Sequence, residues 1–465
     1  MNAAVTVSER SLRVLLALAA ASFIPALFYY AVGEEAVTTI SALEMAQNGQ
    51  WFDRRLYGLP LQHETFSNWL VAAVASVIGW PQVLIAARAV TIAATLGSAA
   101  LAGWLAGALT RDRATALFVA LTYLTLADVL FYRGWLAYVD PVFAFFIFAG
   151  IACLWVACER QRAGWLALAV LAMTAAYLTK AITAYVFYGV AFIALAVDAR
   201  RRRFLLSAPS LVLHLAMAAA PVLWLLAVRG DLSRLTGMLN YTASRFDAGA
   251  SDVSWTNYAI FPLKLAGRLL PATALAAWCL WRYRGTLGVR RATVVLALAI
   301  ALINCLPYWA SPQSNVRYLL PVFPLFALAL GLVVWQAGPR AVKLAVRCMA
   351  VMVGLKLLFA VALFPWYQHH YRGKNYADIA AAIQARVGDR TLYTLNDTAA
   401  GLSVIGYLDT RRWPAPAIVW APEGWDNAYA IAEEGDAAQG RVVERFKLGG
   451  DEVLLLCRGS ACDAR

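Results

Sequence analysis

Residues 11–36 read SLRVLLALAAASFIPALFYYAVGEEA, an apolar run closed by Gly33-Glu34-Glu35-Ala36. The run Ser11–Val32 is long enough to cross a bilayer, which takes about 20 apolar residues. It lacks an A-x-A-type exit, so it reads as a retained span and not as a cleaved leader. Carboxylates directly behind a span sit at the membrane rim, where charge is costly unless it serves something. A second isolated carboxylate, Asp140, opens a later apolar run. Two such groups converging from different loops point to a reaction centre in a multi-span protein.

The remainder of the chain extends that reading. Of 465 residues, 62% are hydrophobic and 14% charged, with mean hydropathy +0.63. A soluble domain is roughly 45–50% apolar and about 25% charged, so the composition places the chain in a membrane. Eleven spans are expected, at 11–32, 84–109, 114–132, 141–158, 163–179, 181–198, 206–228, 259–281, 292–310, 318–336 and 342–364. The basic residues cluster between them, as Arg10/Arg13, Arg111/Arg113, Arg160/Arg162, Arg200–Arg203, Arg282/Arg284/Arg290/Arg291 and Arg340/Lys343/Arg347. The clusters fall at alternating ends, and the positive-inside rule puts all six in the cytoplasm. The N-terminus is then inside and the C-terminus outside. The net charge of +13 is a topology signal and not a nucleic-acid footprint.

Four pieces face outward. The loop 33–83 carries a helical stretch, Glu35–Gln47, with Ala36, Ile40, Leu43 and Ala46 on one face, and a shorter apolar segment of interfacial length, Phe66–Ile78. The turn Arg133–Pro141 holds Asp140, and the loops Arg229–Tyr258 and Ser311–Tyr318 complete that side. After Pro365 the chain turns polar, with β-rich runs at Thr391–Leu395, Ala417–Trp420 and Val453–Cys457 and helical patterns at Tyr376–Val387 and Asn427–Glu434. The expected fold is a polytopic α-helical membrane protein with interfacial helices in its first outer loop and a small α/β C-terminal domain. The expected domains are 1–365 and 366–465. Cys457 and Cys462 stand as a small disulfide or as two free thiols. The other five cysteines lie in or beside apolar runs and read as packing residues.

The order of short motifs carries more. Gly33-Glu34-Glu35-Ala36 is followed by Ala46-Gln47-Asn48-Gly49-Gln50-Trp51, by Gly58-Leu59-Pro60 with His63-Glu64 and Trp69, and by Ala87-Arg88. Asp140 then opens a span, Leu178-Thr179-Lys180 closes one, and Arg317-Tyr318-Leu319-Leu320-Pro321 opens another. Over residues 10–340 this order resembles the membrane glycosyltransferases of the GT-C class. More narrowly, it is similar to the bacterial branch of the protein O-mannosyltransferase family, which includes the aminoarabinose transferases that modify lipid A. The resemblance implies a GT-C fold in the bacterial inner membrane and a polyprenyl-phosphate-linked sugar as donor. It also implies inverting transfer to a periplasmic acceptor, whether glycolipid, polysaccharide or protein. Glu34 matches the family's first acidic residue and is implied as the base. Val37-Thr38 stands where the family usually has Arg-Tyr, and His63-Glu64-Thr65 where it has Lys-Pro-Pro. No particular sugar is therefore carried over, and a divalent metal stays open as a cofactor.

The residue chemistry supports this independently. Transfer from a lipid phosphate needs a carboxylate to take the acceptor's hydroxyl proton. It also needs cations on the phosphate leaving group, bidentate from Arg or a point charge from Lys. Glu34 and Asp140 are the catalytic candidates, and Glu35, His63 and Glu64 the acceptor or supporting ones. Arg88, Lys180, Tyr258, Arg268, Arg317 and Tyr318 are the candidates for the donor phosphate. Plainer readings exist: Glu34, Glu35 and Asp140 as helix caps, Arg88 as a snorkelling side chain, Arg317 and Tyr318 as interfacial anchors. One rival function is a flippase or transporter of lipid-linked sugars, which needs ionisable groups at mid-membrane; only Lys356 lies there, and no internal repeat is seen. Another is a polymerase or ligase of lipid-linked glycans, which needs a larger late outer loop. With no Walker A, H-E-x-x-H or G-x-S-x-G motif, the donor is expected to arrive through the lipid.

Overall fold

The computed structural model describes residues 7–61, 63–230, 232–244, 255–283, 291–311, 315–396, 398–448 and 451–463. Arg284 and Arg290 of the fifth basic cluster, and 245–254 and 312–314 of the outward loops, lie outside the described residues. Among the described residues seven helices are long and apolar enough to cross a membrane: Glu9–Phe28, Trp80–Thr110, Val139–Arg160, Ala208–Val228, Arg291–Ala310, Val316–Gln336 and Pro339–His370. An eighth span forms if Tyr258–Arg268 and Ala272–Arg282, bent by 94°, count together. The bend falls at Leu269-Leu270-Pro271, where a proline cannot continue the helix. The three remaining expected spans are shorter apolar helices, Arg113–Leu124, Ala163–Thr179 and Ala184–Ala196.

The chain forms two compact units. One comprises Met1–Ile24, Thr91–Trp135 and Val139–Leu357; the other comprises Pro25–Val90, Leu136–Tyr138 and Leu358–Arg465. The C-terminal sheet thus shares a unit with the first outer loop.

Within the first unit, Val139–Arg160 and Ala163–Thr179 make an antiparallel hairpin through a turn at Gln161, which takes the left-handed conformation (φ 53). The two helices touch closely at Gly150, where a Cβ would lie 2.7 Å from Met173 Sδ. The hairpin brings the start of one helix beside the end of the other, so residues 140 and 180 meet despite 40 intervening positions.

Within the second unit a five-stranded sheet runs in the order β4-β3-β5-β7-β6: β3 (Leu392–Thr394), β4 (Val419–Trp420), β5 (Tyr429–Ala432), β6 (Arg441–Leu448) and β7 (Asp451–Cys457). β3 is parallel to β4 and β5, whereas β7 is antiparallel to β5 and β6. The expected runs at 391–395, 417–420 and 453–457 are strands β3, β4 and β7. The helical reading of Asn427–Glu434 is corrected: it contains β5, buried on both faces at the sheet centre. A strand covered on both sides loses the polar alternation that marks a half-buried one, so Tyr429-Ala430-Ile431-Ala432 carries no period-two signal. Cys457 and Cys462 form a disulfide.

One face of the sheet packs on Lys374–Val387 and Ala399–Arg412, through Ile379, Ile383, Val404, Ile405 and Leu408, and this core includes Ala36, Ile40 and Tyr57 of the outer loop. The Glu35–Asn48 helix is therefore not one-faced as expected. Thr38, Ser41 and Glu44 are buried as fully as Ile40 and Leu43, and the Phe66–Ile78 helix covers a further side through Val71 and Ala75. The Gly58-x-Pro60 motif is a two-residue hairpin between β1 (Arg55–Leu56) and β2 (Leu59–Pro60), with Tyr57 and Gly58 both at positive φ, as such hairpins require.

Two carboxyls are enclosed in this unit. Asp409 Oδ1 accepts the Ile418 N–H (2.9 Å) and Glu44 Oε1 the Gly58 N–H (2.7 Å), while Asp409 Oδ2 and Glu44 Oε2 find no partner among the described residues. Burial pushes Asp409 from 3.8 up to about 7, the Ile418 bond opposing and the Glu44 charge adding to it. Burial likewise raises Glu44 to about 6. A carboxyl raised in the folded state stabilises fully below its unfolded value and loses that contribution as pH rises through the folded one. Stability is therefore expected to fall between about pH 4 and about pH 7 on account of Asp409. Unfolding midpoints across that range should show a flatter fall for Asp409→Asn; an unchanged slope would contradict the assignment.

Candidate active site

The acidic loop is held by its backbone. Residues 29–34 form no regular element between the first span and the Glu35–Asn48 helix, so their peptide groups need outside partners wherever they are buried. Arg88 supplies three. Its Nη1 donates to Ala26 O (3.1 Å) and Tyr29 O (2.5 Å), and its Nη2 to Tyr30 O (2.9 Å). Nε (2.9 Å) and Nη2 (2.5 Å) grip the two oxygens of Glu35. A guanidinium has five N–H donors, and these five contacts engage them all. The Glu35 oxygens also accept the N–H groups of Val32 and Ala137, each at 2.8 Å. Neither side chain of the pair has any exposed surface. Arg88, expected on the donor phosphate, thus has no donor left for it. With Glu35 it is a structural pair.

Glu34 points the other way and is exposed. It occupies the N-cap position of the helix without a side-chain capping bond, and its N–H donates to Tyr138 Oη (3.3 Å). Gly33 is left-handed (φ +58), and a Cβ there would lie 2.9 Å from Tyr138 Oη, so glycine is required on two counts. His63 is half-buried and Glu64 buried, both just ahead of the Phe66–Ile78 helix. Among the described residues no group of three or more His, Cys, Asp and Glu is placed to hold a metal ion.

The first unit gathers the cations. Asp140, in the first turn of its helix, accepts a hydrogen bond from Lys180 Nζ at 2.5 Å, both side chains being nearly buried. Lys180 Nζ lies 5.0 Å from the Tyr318 ring centre, and Arg317 lies 4.9 Å from the same ring. Arg317 Nη2 also donates to Tyr318 Oη (3.0 Å). Asn315 fixes this segment by accepting the Arg317 N–H (3.0 Å) at the head of the Val316–Val322 turn. Arg317 and Arg133 are within electrostatic reach of Asp140. Arg268 is tied to Asp128, which also feels Arg133. Four cations against two carboxylates leave two positive charges on this unit's cluster. The Tyr258 hydroxyl donates to Ala310 O (3.2 Å), and its carbonyl accepts from Trp309 Nε1 (2.8 Å). Asp128 and Arg133 were missed by the sequence reading, although Asp128 is a lone carboxylate inside the apolar run assigned to 114–132.

Lys356 is fully enclosed, its ammonium 5.6 Å from the Phe23 ring centre and 5.3 Å from that of Trp135. Both rings are within cation–π range of the ammonium.

Removing one member of a buried, fully bonded ion pair strands the other and costs about 3–5 kcal/mol. Glu35→Gln and Arg88→Met are each expected to lower the unfolding midpoint markedly, and the double variant to lose less than the sum. Additive losses in a double-mutant cycle would show that the two do not act as a pair.

Comparison with known proteins agrees with this architecture. Residues 57–231 match the family described as PMT, dolichyl-phosphate-mannose-protein mannosyltransferase. The crystal structure of ArnT from Cupriavidus metallidurans bound to undecaprenyl phosphate is similar at TM-score 0.74 and 16% identity, covering 97% of this chain and 98% of that one. The apo form of ArnT from the same organism is similar at 0.72 and 17%, covering 96% and 97%. The archaeal oligosaccharyltransferase AglB from Archaeoglobus fulgidus, in complex with an inhibitory peptide and a dolichol-phosphate, matches at 0.52 and 10%, covering 92% and 70%. The chain therefore has the GT-C membrane fold, and within it residues 57–231 are similar to the dolichyl-phosphate-mannose-protein mannosyltransferase family.

Proposed function

We propose that the protein is a glycosyltransferase that moves a sugar from a polyprenyl-phosphate-linked donor to an acceptor on the periplasmic face of the bacterial inner membrane. The observation that carries this is the Asp140–Lys180–Tyr318–Arg317 cluster, a net-positive group backed by an aromatic ring. Cations held in place by a carboxylate and a ring suit a phosphate ester whose charge grows as it leaves. Undecaprenyl phosphate in the ArnT structure and dolichol-phosphate in the AglB structure support the same class of donor.

In this mechanism Lys180 and Arg317 carry the donor phosphate, with Tyr318 setting the spacing of the two cations. Glu34 takes the proton of the acceptor hydroxyl. The acceptor oxygen then bonds to the anomeric carbon as the bond from that carbon to the phosphate oxygen breaks. The polyprenyl phosphate leaves with the electron pair, and the configuration inverts. Asp140 holds the Lys180 ammonium in place, and Arg268 with Asp128 adds to the local field. His63 and Glu64 remain acceptor-side or metal-side candidates, with a divalent ion as an optional cofactor. The alternating basic clusters support a cytoplasmic N-terminus and periplasmic C-terminus, as does the Cys457–Cys462 disulfide, which suits an oxidising compartment.

The test is sugar transfer from synthetic polyprenyl-phosphate sugars by the purified protein, with membrane extract as acceptor. Glu34→Gln is expected to lose at least about 100-fold in rate, in line with general-base catalysis, with the fold retained. Asp140→Asn is expected to raise KM for the donor by releasing Lys180. Consumption of none of the donors, or wild-type rates in both variants, would sink the proposal.

A further inference from the structure

Three side chains of the C-terminal segment reach the backbone of the acidic loop. Gln368, buried on the Phe364–His370 helix, makes a two-way amide pair with Tyr30: Tyr30 N–H donates to Oε1 (3.0 Å), and Nε2 donates to Tyr30 O (2.9 Å). Tyr407, on the Ala399–Arg412 helix, accepts the Ala31 N–H at 2.8 Å. Ser403, one turn earlier, has its hydroxyl 3.3 Å from Gly33 O and 3.0 Å from Ala399 O. Gly406 lets that helix lie against the first turn of Glu35–Asn48, since a Cβ there would meet Ala36 Cβ at 3.0 Å.

These contacts end on peptide groups of residues 30, 31 and 33, immediately ahead of Glu34, and none touches its carboxylate. The apolar packing of the same helix is carried mainly by Val404, Ile405 and Leu408, with the Tyr407 ring set against the same core. The polar side chains therefore address the loop while the apolar ones hold the sheet. A catalytic group needs this kind of support, because reactivity falls steeply with small misplacements.

We propose that Gln368, Ser403 and Tyr407 are positioning residues through which the C-terminal segment sets the acidic loop and so places the Glu34 carboxylate. This rests on the reading of Glu34 as the base.

The experiment uses the purified full-length Tyr407→Phe/Ser403→Ala protein with two readouts. Backbone hydrogen exchange over residues 29–35 is expected to quicken several-fold, with the sheet strands unchanged. With a polyprenyl-phosphate sugar that the wild type uses, kcat is expected to fall about tenfold to 100-fold while donor KM moves less than about twofold. Ser403→Thr, which keeps the hydroxyl, should retain most of the rate. Should the double variant fold poorly, Tyr407→Phe alone, which deletes one oxygen, gives the same two readouts. Unchanged exchange in the loop, or a change confined to KM, would overturn the proposal. If the wild type uses no such donor, the base assignment fails instead, and exchange alone decides whether these side chains hold the loop.

Discussion

The arrangement around the acidic loop depends on one buried ion pair. Arg88 and Glu35 lie wholly out of solvent, where either charge alone would be very costly. The structure meets that cost by completeness: five donors on the guanidinium find acceptors, and the carboxylate collects two further peptide N–H groups. The pair bonds to the backbone of Ala26, Tyr29, Tyr30, Val32 and Ala137, and so ties the loop at several points. Glu34, between this loop and Glu35, is exposed. Two adjacent glutamates thereby differ in setting, Glu35 buried and paired and Glu34 exposed, and the proposed function gives the base role to the exposed one. Burial decides which is which.

The cation cluster follows a related logic with a different outcome. Lys180 and Arg317 both lie within about 5 Å of the Tyr318 ring centre, and Asp140 neutralises only part of their charge. Arg88 is saturated, whereas the cluster keeps a surplus of positive charge, and a surplus attracts an anion. In the proposed function a lipid phosphate is that anion, which needs no nucleotide-binding loop. Lys356, inside the Pro339–His370 span, instead has the Phe23 and Trp135 rings beside its ammonium.

Much of this was legible in the sequence because it is one-dimensional. Apolar run lengths and alternating basic clusters fix the order of the helices, and the Phe66–Ile78 helix appears with the bounds its apolar run suggested. Asp140 and Lys180 were readable as separate rim residues, since each marks the end of an apolar run. Their pairing was not, because it depends on the hairpin between them. Arg88 misled for the same reason: a lone arginine near a span end looks available until its partners, 53 to 62 residues away, are seen. β5 was misread because central burial erases alternation. The helix Ala399–Arg412 went unnoticed because its packing face is split between small and polar residues, Gly401, Ser403 and Gly406 among them.

The central claim is that the Lys180–Tyr318–Arg317 cluster receives the phosphate of a polyprenyl lipid. Photo-crosslinking with a diazirine-bearing polyprenyl phosphate, followed by peptide mapping of the purified protein, tests it directly. The account predicts saturable labelling of peptides that contain Lys180 or Arg317–Tyr318, competed by unlabelled polyprenyl phosphate and lost in Lys180→Met/Arg317→Met. Labelling that ignores competition, or that persists unchanged in the double variant, would contradict it.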